Sequence, residues 1–133
     1  MHSAAEIQFP LYSPLRGNGN ATAEAEVPAR GRLPRVTQVL ALAIQFQEMI
    51  RTGEARDFAD LARLGGLTRE RISQITRLAW LAPDIQIEIL YLSPQPAARF
   101  PLTERAVRRV AQKISWTEQR QDWTNLKQIH GLL

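Results

Sequence analysis

Residues 58 to 79 read FADLARLGGLTRERISQITRLA, and their spacing decides the fold. Phe58, Leu61 and Ala62 recur at helical steps as the inward side of a short helix running through Leu64, and the carboxylate of Asp57 suits its N-cap. The Gly65-Gly66 pair ends it, because glycine enters the left-handed region without a Cβ penalty. Thr68 can cap a second helix in which Ile72, Ile75, Leu78 and Ala79 form the buried stripe, with Arg69, Arg71, Ser73, Gln74 and Arg77 outside it. Ala62 is small where the second helix must cross closely, and Gly66 occupies the turn four residues later. Leu61, Leu67, Ile72 and Ile75 fall where two crossing helices bury their side chains together. A generic helical hairpin need not place Ala, Gly and the aliphatic set at these offsets, so the pattern predicts a helix-turn-helix.

Upstream, Val36, Val39, Leu40, Ala43, Phe46, Met49 and Ile50 make one apolar stripe and predict a helix over 35–52, with Pro34 at its start and Gly53 after its end. Residues 1–33 contain Pro10, Pro14, Pro28 and a Gly17-Asn18-Gly19-Asn20 cluster and keep no helical period, so they read as an extended arm. Ile7, Phe9 and Leu11 allow a short edge strand within it. Downstream, Pro83 opens a short helix with Ile85, Ile89, Leu90 and Leu92 apolar, which completes a helix-turn-helix domain over 34–92. Pro94, Pro96 and Pro101 mark 93–102 as a connector. A C-terminal helical pair then fills 103–133. Thr103 caps the first helix, with Ala106, Val107, Val110 and Ile114 on one face; Ser115 and Glu118 begin the second, which carries Trp116, Trp123, Leu126 and Ile129 and ends at Gly131. The expected fold is all-α, with five to six helices behind the arm.

At 133 residues this is one domain, and 44% apolar residues are enough for a core. With no Cys and two His, a thiolate nucleophile or a Cys- or His-based metal site is not expected. No nucleophile–base pair or Gly-rich phosphate loop is apparent either, so the reading is non-enzymatic, without cofactor or metal. No run approaches the about 18 apolar residues of a membrane span, and MHSAAEIQFP lacks a secretory layout, which predicts a cytoplasmic protein with no membrane partner. The net charge of +4 is unremarkable alone, but 15 of the 17 basic residues are Arg. By position, residues 30–36 carry +3, 63–81 carry +3 and 99–113 carry +4, separated by stretches of net negative charge. Three basic blocks point to a polyanion.

In a helix-turn-helix, the amino-terminal residues of the second helix face base edges in the major groove. Gln can pair with adenine and Arg with guanine through two hydrogen bonds each, so Arg69, Ser73, Gln74 and Arg77 are the candidate base readers. Thr68, Arg63 and Arg71 are candidates for phosphate or general contacts. Glu70 either accepts from a cytosine amino group or orients a neighbouring Arg. The alternative for the whole stretch is a two-helix corner whose Arg side chains form only a solvated face.

The stretch LTRERISQITRLAWLAPDIQIEIL resembles the helix-turn-helix region of ParB/KorB-type proteins, in which the recognition helix is followed by a Leu-Pro-containing turn and a short acidic helix. Within that group it is most similar to the small helix-turn-helix proteins encoded near phage-type serine recombinases. The resemblance covers about residues 57–92 and implies recognition through Arg69, Ser73, Gln74 and Arg77. ParB proteins carry a nucleotide-binding domain before this region; residues 1–33 have no counterpart, so clamp or CTPase behaviour is not implied.

Two more basic elements remain. Arg30, Arg32 and Arg35 are spaced like an arm that enters the minor groove, or form a solvated linker. Arg105, Arg108, Arg109 and Lys113 form a phosphate-gripping face, a surface for an acidic protein, or an exposed helix side. The Trp116 and Trp123 stripe is core packing or a homodimer interface. Together these readings predict sequence-specific binding of double-stranded DNA by a transcriptional regulator or accessory factor of a mobile element. The alternative is an adaptor docking on a recombinase or polymerase.

Overall fold

A computed structural model describes residues 33–94 and 102–131. The expected arm before Leu33 with its edge strand, Arg30 and Arg32 within it, and most of the Pro-rich connector lie outside the described residues. Among the described residues the chain is all-helical. It has six α-helices, α1 (Arg35–Thr52), α2 (Phe58–Gly65), α3 (Arg69–Arg77), α4 (Pro83–Leu90), α5 (Glu104–Ala111) and α6 (Trp116–Ile129), with a 3₁₀ turn, Leu78–Trp80, extending α3.

Local chemistry sets most of the boundaries. Asp57 accepts from the Asp60 backbone N–H at 2.9 Å, Thr68 from that of Arg71 at 3.0 Å, and Thr103 from that of Ala106 at 3.1 Å. Ser115 accepts from Thr117 N–H at 3.1 Å and Glu118 N–H at 3.4 Å. Each hydroxyl or carboxylate satisfies donors that a helix start leaves without a partner. Gly66 closes α2 at φ 68°, the left-handed conformation that lets the chain reverse into α3 within three residues.

The amphipathic stripe of α1 is the spine of the core. Val36, Val39, Leu40, Ala43 and Phe46 are fully buried, and α1 packs on α3, α4, α5 and the 3₁₀ turn. Leu61, Ile72, Ile75 and Leu78 supply the helix-turn-helix side of the same core, and Val107, Val110 and Trp123 the C-terminal side. The C-terminal pair is thus packed into the same hydrophobic cluster as residues 34–92. Thr37 Oγ1 donates to the Ile89 carbonyl at 2.7 Å, satisfying an acceptor at the end of α4 from within α1.

The joint between α6 and the corner after α3 is polar. Gln119, 1% exposed, accepts from Ala82 N–H at 2.8 Å and donates to the carbonyls of Lys113 at 2.9 Å and Trp80 at 3.2 Å. Its amide replaces partners that irregular chain at two turns cannot find for itself. Acidic residues of α4 complete the joint. Arg120 grips Asp84 through two nitrogens, while Glu88 accepts from Trp123 Nε1 at 2.7 Å and Lys127 Nζ at 2.8 Å.

Three apolar placements differ from expectation. Phe58 is exposed rather than inward, because the buried side of α2 centres on Leu61 and Leu64 and leaves Phe58 at its margin. Ile114 is 97% exposed, since α5 stops at Ala111 and residue 114 lies in the turn to α6 rather than on the helical face. The tryptophan stripe divides: Trp123 is core, whereas Trp116 is exposed beneath Arg120, whose guanidinium lies 5.9 Å from its ring.

Two substitutions test this framework by chemical denaturation. A Cβ on Gly66 meets nothing within 4 Å, so Gly66→Ala carries only the backbone cost of the left-handed conformation, about 1 kcal/mol. Gln119→Leu keeps volume but orphans three backbone groups and should cost about 2–4 kcal/mol. A Gln119→Leu loss no larger than that of Gly66→Ala would remove the polar joint from this account.

Candidate nucleic-acid interface

The outward side of α3 is built by subtraction. Ile72, Ile75 and Thr76 face the core, so at about 100° per residue the remaining side chains Arg69, Ser73, Arg77, Glu70 and Gln74 occupy one arc of about 140°. Arg69, Glu70 and Ser73 are exposed, and Gln74 and Arg77 are half-buried at its margins. The four expected base readers therefore share one face. Thr68 opens that face, but its hydroxyl already caps the helix.

The two half-buried readers are held differently. The Arg77 guanidinium lies over the Trp80 ring, 5.3 Å from its centroid. That contact uses the face of the cation, and Trp80 is itself 59% exposed. Gln74 Oε1 accepts from Arg71 Nη1 at 3.0 Å. Glu70 makes no ion pair among the described residues, so no neighbouring Arg is oriented by it.

Arg71 is placed differently from the other cations of α3. Its guanidinium meets Glu104 of α5 through two parallel bonds, Nη1 to Oε2 at 2.6 Å and Nη2 to Oε1 at 2.9 Å. Arg108, one turn along α5, adds a third bond to Oε2 at 2.5 Å. The Arg71 and Glu104 side chains are only 21% and 13% exposed. Burial pushes the Glu104 carboxyl upward, yet Arg71 and then Arg108 outweigh it and hold the group below the usual glutamate range. Arg71 and Arg108 are thus engaged in an internal ion cluster with Glu104, unlike Arg69.

The other expected contacts separate into paired and unpaired cations. Arg63 is paired with Asp60 at 2.5 Å and Lys113 with Asp122 at 3.8 Å. Among the described residues, Arg69, Arg77, Arg105 and Arg109 form no ion pair. Glu104 and Arg108 lie on the side of α5 toward α3, and Arg105 and Arg109 on its outer side. Arg109 also borders a shallow groove against α6, lined by Ala106, Val110, Leu126 and Ile129. Arg35 is exposed on the first turn of α1. Among the described residues no cluster of three or more His, Cys, Asp or Glu could hold a metal ion, and no helix is long and apolar enough to cross a membrane.

Glu104 and Gln119 were not singled out as important in the sequence. Glu104 left a faint signal as an acid within the basic 99–113 block, one turn before Arg108. Gln119 stands between Trp116 and Trp123 at apolar-stripe spacing. No protein-family model, curated protein or solved structure matches the chain.

The paired carboxylates give the fold an acid limit. Asp60 is lowered from 3.8 to about 2, first by the Arg56 backbone N–H and then by Arg63, and Glu104 is lowered as described. A depressed carboxylate contributes stability that is present above its ordinary pKa and lost as pH falls through the folded value. The urea midpoint should therefore hold above about pH 5 and fall between about pH 4 and 2, with a shallower fall in Asp60→Asn. An unchanged slope in that variant would show that Asp60 does not carry the effect.

Proposed function

We propose that the chain is a non-enzymatic, sequence-specific double-stranded DNA-binding protein of the cytoplasm, acting as a transcriptional regulator or accessory factor of a mobile element. One observation carries the reading: among the described residues, four arginines without an acidic partner sit on α3 and α5, two of them on the outward arc of α3 beside Gln74 and Ser73. An ordinary solvated face tends to mix its charges; here Glu70 is the one acid on the outward arc of α3, and the acids of neighbouring segments, Asp60, Asp84, Glu88 and Glu104, are paired with cations. The cations left over have the geometry to meet phosphates, and the arc of α3 has the donors to read bases. The resemblance to ParB/KorB-type helix-turn-helix regions is part of this proposal and is the source of the mobile-element reading.

In this mechanism α3 enters the major groove from its Thr68 end. Gln74 reads adenine, Arg69 and Arg77 read guanine, and Ser73 meets a base or phosphate. Arg105 and Arg109 grip the backbone alongside. A second copy on an adjacent half-site would extend the footprint by one helical turn. The rival reading, an adaptor for a recombinase or polymerase, draws on exposed Trp80, Ile87 and Tyr91, apolar groups that suit a protein partner.

Salt titration against duplex DNA separates the two. With Arg105 and Arg109 on phosphates, log K should fall against log salt with a slope of about −2 for each bound copy. Gln74→Ala and Arg77→Ala should each cost about 1–3 kcal/mol on the preferred site and relax its sequence, whereas Arg105→Ala should weaken all sequences alike and reduce the slope by about 1. Absence of binding at low salt would leave the adaptor.

A further inference from the structure

We infer that Glu104, on α5 and outside the helix-turn-helix, is a positioning residue that sets base choice at Gln74 by acting through Arg71. The inference rests on the DNA reading and adds to it a specificity determinant that does not itself touch DNA.

A glutamine recognises adenine only when its amide is the right way round. Oε1 must face the adenine N6 amino group and Nε2 the N7 acceptor. On a free side chain the two orientations are close in energy, and the flipped one offers donor to donor. In this protein Arg71 Nη1 sits 3.0 Å from Gln74 Oε1, so a flip would turn the amide NH₂ against a guanidinium. The flipped state is thereby disfavoured, while Oε1 keeps a second lone pair for the base.

Arg71 can do this only because it is itself fixed. Its two bonds to Glu104, at 2.6 and 2.9 Å, lock the plane of the guanidinium, and planar double bonding is the geometry that Arg and a carboxylate share. Glu104 is fixed in turn by Arg108 from its own helix. The order Arg108, Glu104, Arg71, Gln74 runs from a helix that makes no base contact in the proposed mechanism to the side chain assigned to adenine. A lone surface arginine would sample many rotamers, and its hold on the amide would be correspondingly weak.

The test is a double-mutant cycle on base preference, with wild type, Glu104→Gln, Gln74→Ala and the double variant measured on the selected duplex and on each single-base-pair change of it. Glu104→Gln should reduce discrimination about fivefold to tenfold at one adenine position and leave the other positions unchanged. Its affinity for unrelated duplex should stay level or rise, since a negative charge leaves the basic face. In the Gln74→Ala background Glu104→Gln should change preference no further, because both substitutions act on one contact. Wild-type preference in Glu104→Gln at every position, or losses that simply add in the double variant, would overturn the inference. Wild-type protein that binds no duplex would instead overturn the DNA reading beneath it. Should Glu104→Gln fail to fold, Arg71→Met keeps the aliphatic stem and leaves Glu104 its Arg108 partner. The same single-position loss is expected there, and retained preference would overturn the inference equally.

Discussion

The amide of Gln119 is where two halves of the chain become one object. The turn after the 3₁₀ segment and the turn before α6 each leave backbone groups with no helical partner, and one buried side chain satisfies all three. Because the amide can do so only from one position, α6 is seated against the corner between α3 and α4. α5 is carried with it onto the flank of α3. Hydrophobic burial supplies most of the attraction between these elements, as Val107, Val110 and Trp123 enter the common core. It is non-directional, however, and does not choose a register. The hydrogen bonds of Gln119, with the Asp84 and Glu88 pairs beside it, make that choice.

The fate of the charged residues follows from this seating. Acidic stretches between the basic blocks look like solvated spacers in the linear sequence. In the fold three of these carboxylates meet cations of other segments, Asp60 with Arg63, Asp84 with Arg120 and Glu88 with Lys127, and Glu104, the acid within the third basic block, meets Arg71. The more exposed of these pairs, such as Arg120 with Asp84, contribute little stability each. Their effect is to leave Glu70 as the one carboxylate on the outward arc of α3 and, among the described residues, a smaller set of unpaired arginines than the charge blocks imply.

What was legible in the sequence was whatever one segment decides for itself. Asp57, Thr68, Thr103 and Ser115 cap helices at the positions their side chains require, Gly66 turns where only a residue without Cβ turns easily, and the apolar stripes of α1 and α3 are buried as their periods demand. The misplacements came where a boundary or a distant neighbour decides. Ile114 keeps helical spacing with Val107 and Val110, but α5 ends before reaching it. Arg71 has the same local surroundings as Arg69, and only Glu104, 33 residues away, separates their roles. Gln119 resembles an ordinary surface glutamine until the turns it joins are brought beside it. The candidate face of α3 could be listed from helical spacing alone, but which of its side chains are held and which are loose could not.

The pair of Arg71 and Glu104 has a consequence for how such a surface can change over generations. Substitutions at Arg69 or Ser73 alter the outward face of α3 and disturb nothing behind it, so these positions can drift or adapt one at a time. Position 71 is more constrained, because a replacement lacking a planar pair of donors leaves Glu104, a carboxylate of low exposure, with Arg108 alone, and replacing Glu104 alone leaves two guanidinium groups facing each other. The two sites are therefore bound to be inherited as a unit across a long stretch of chain.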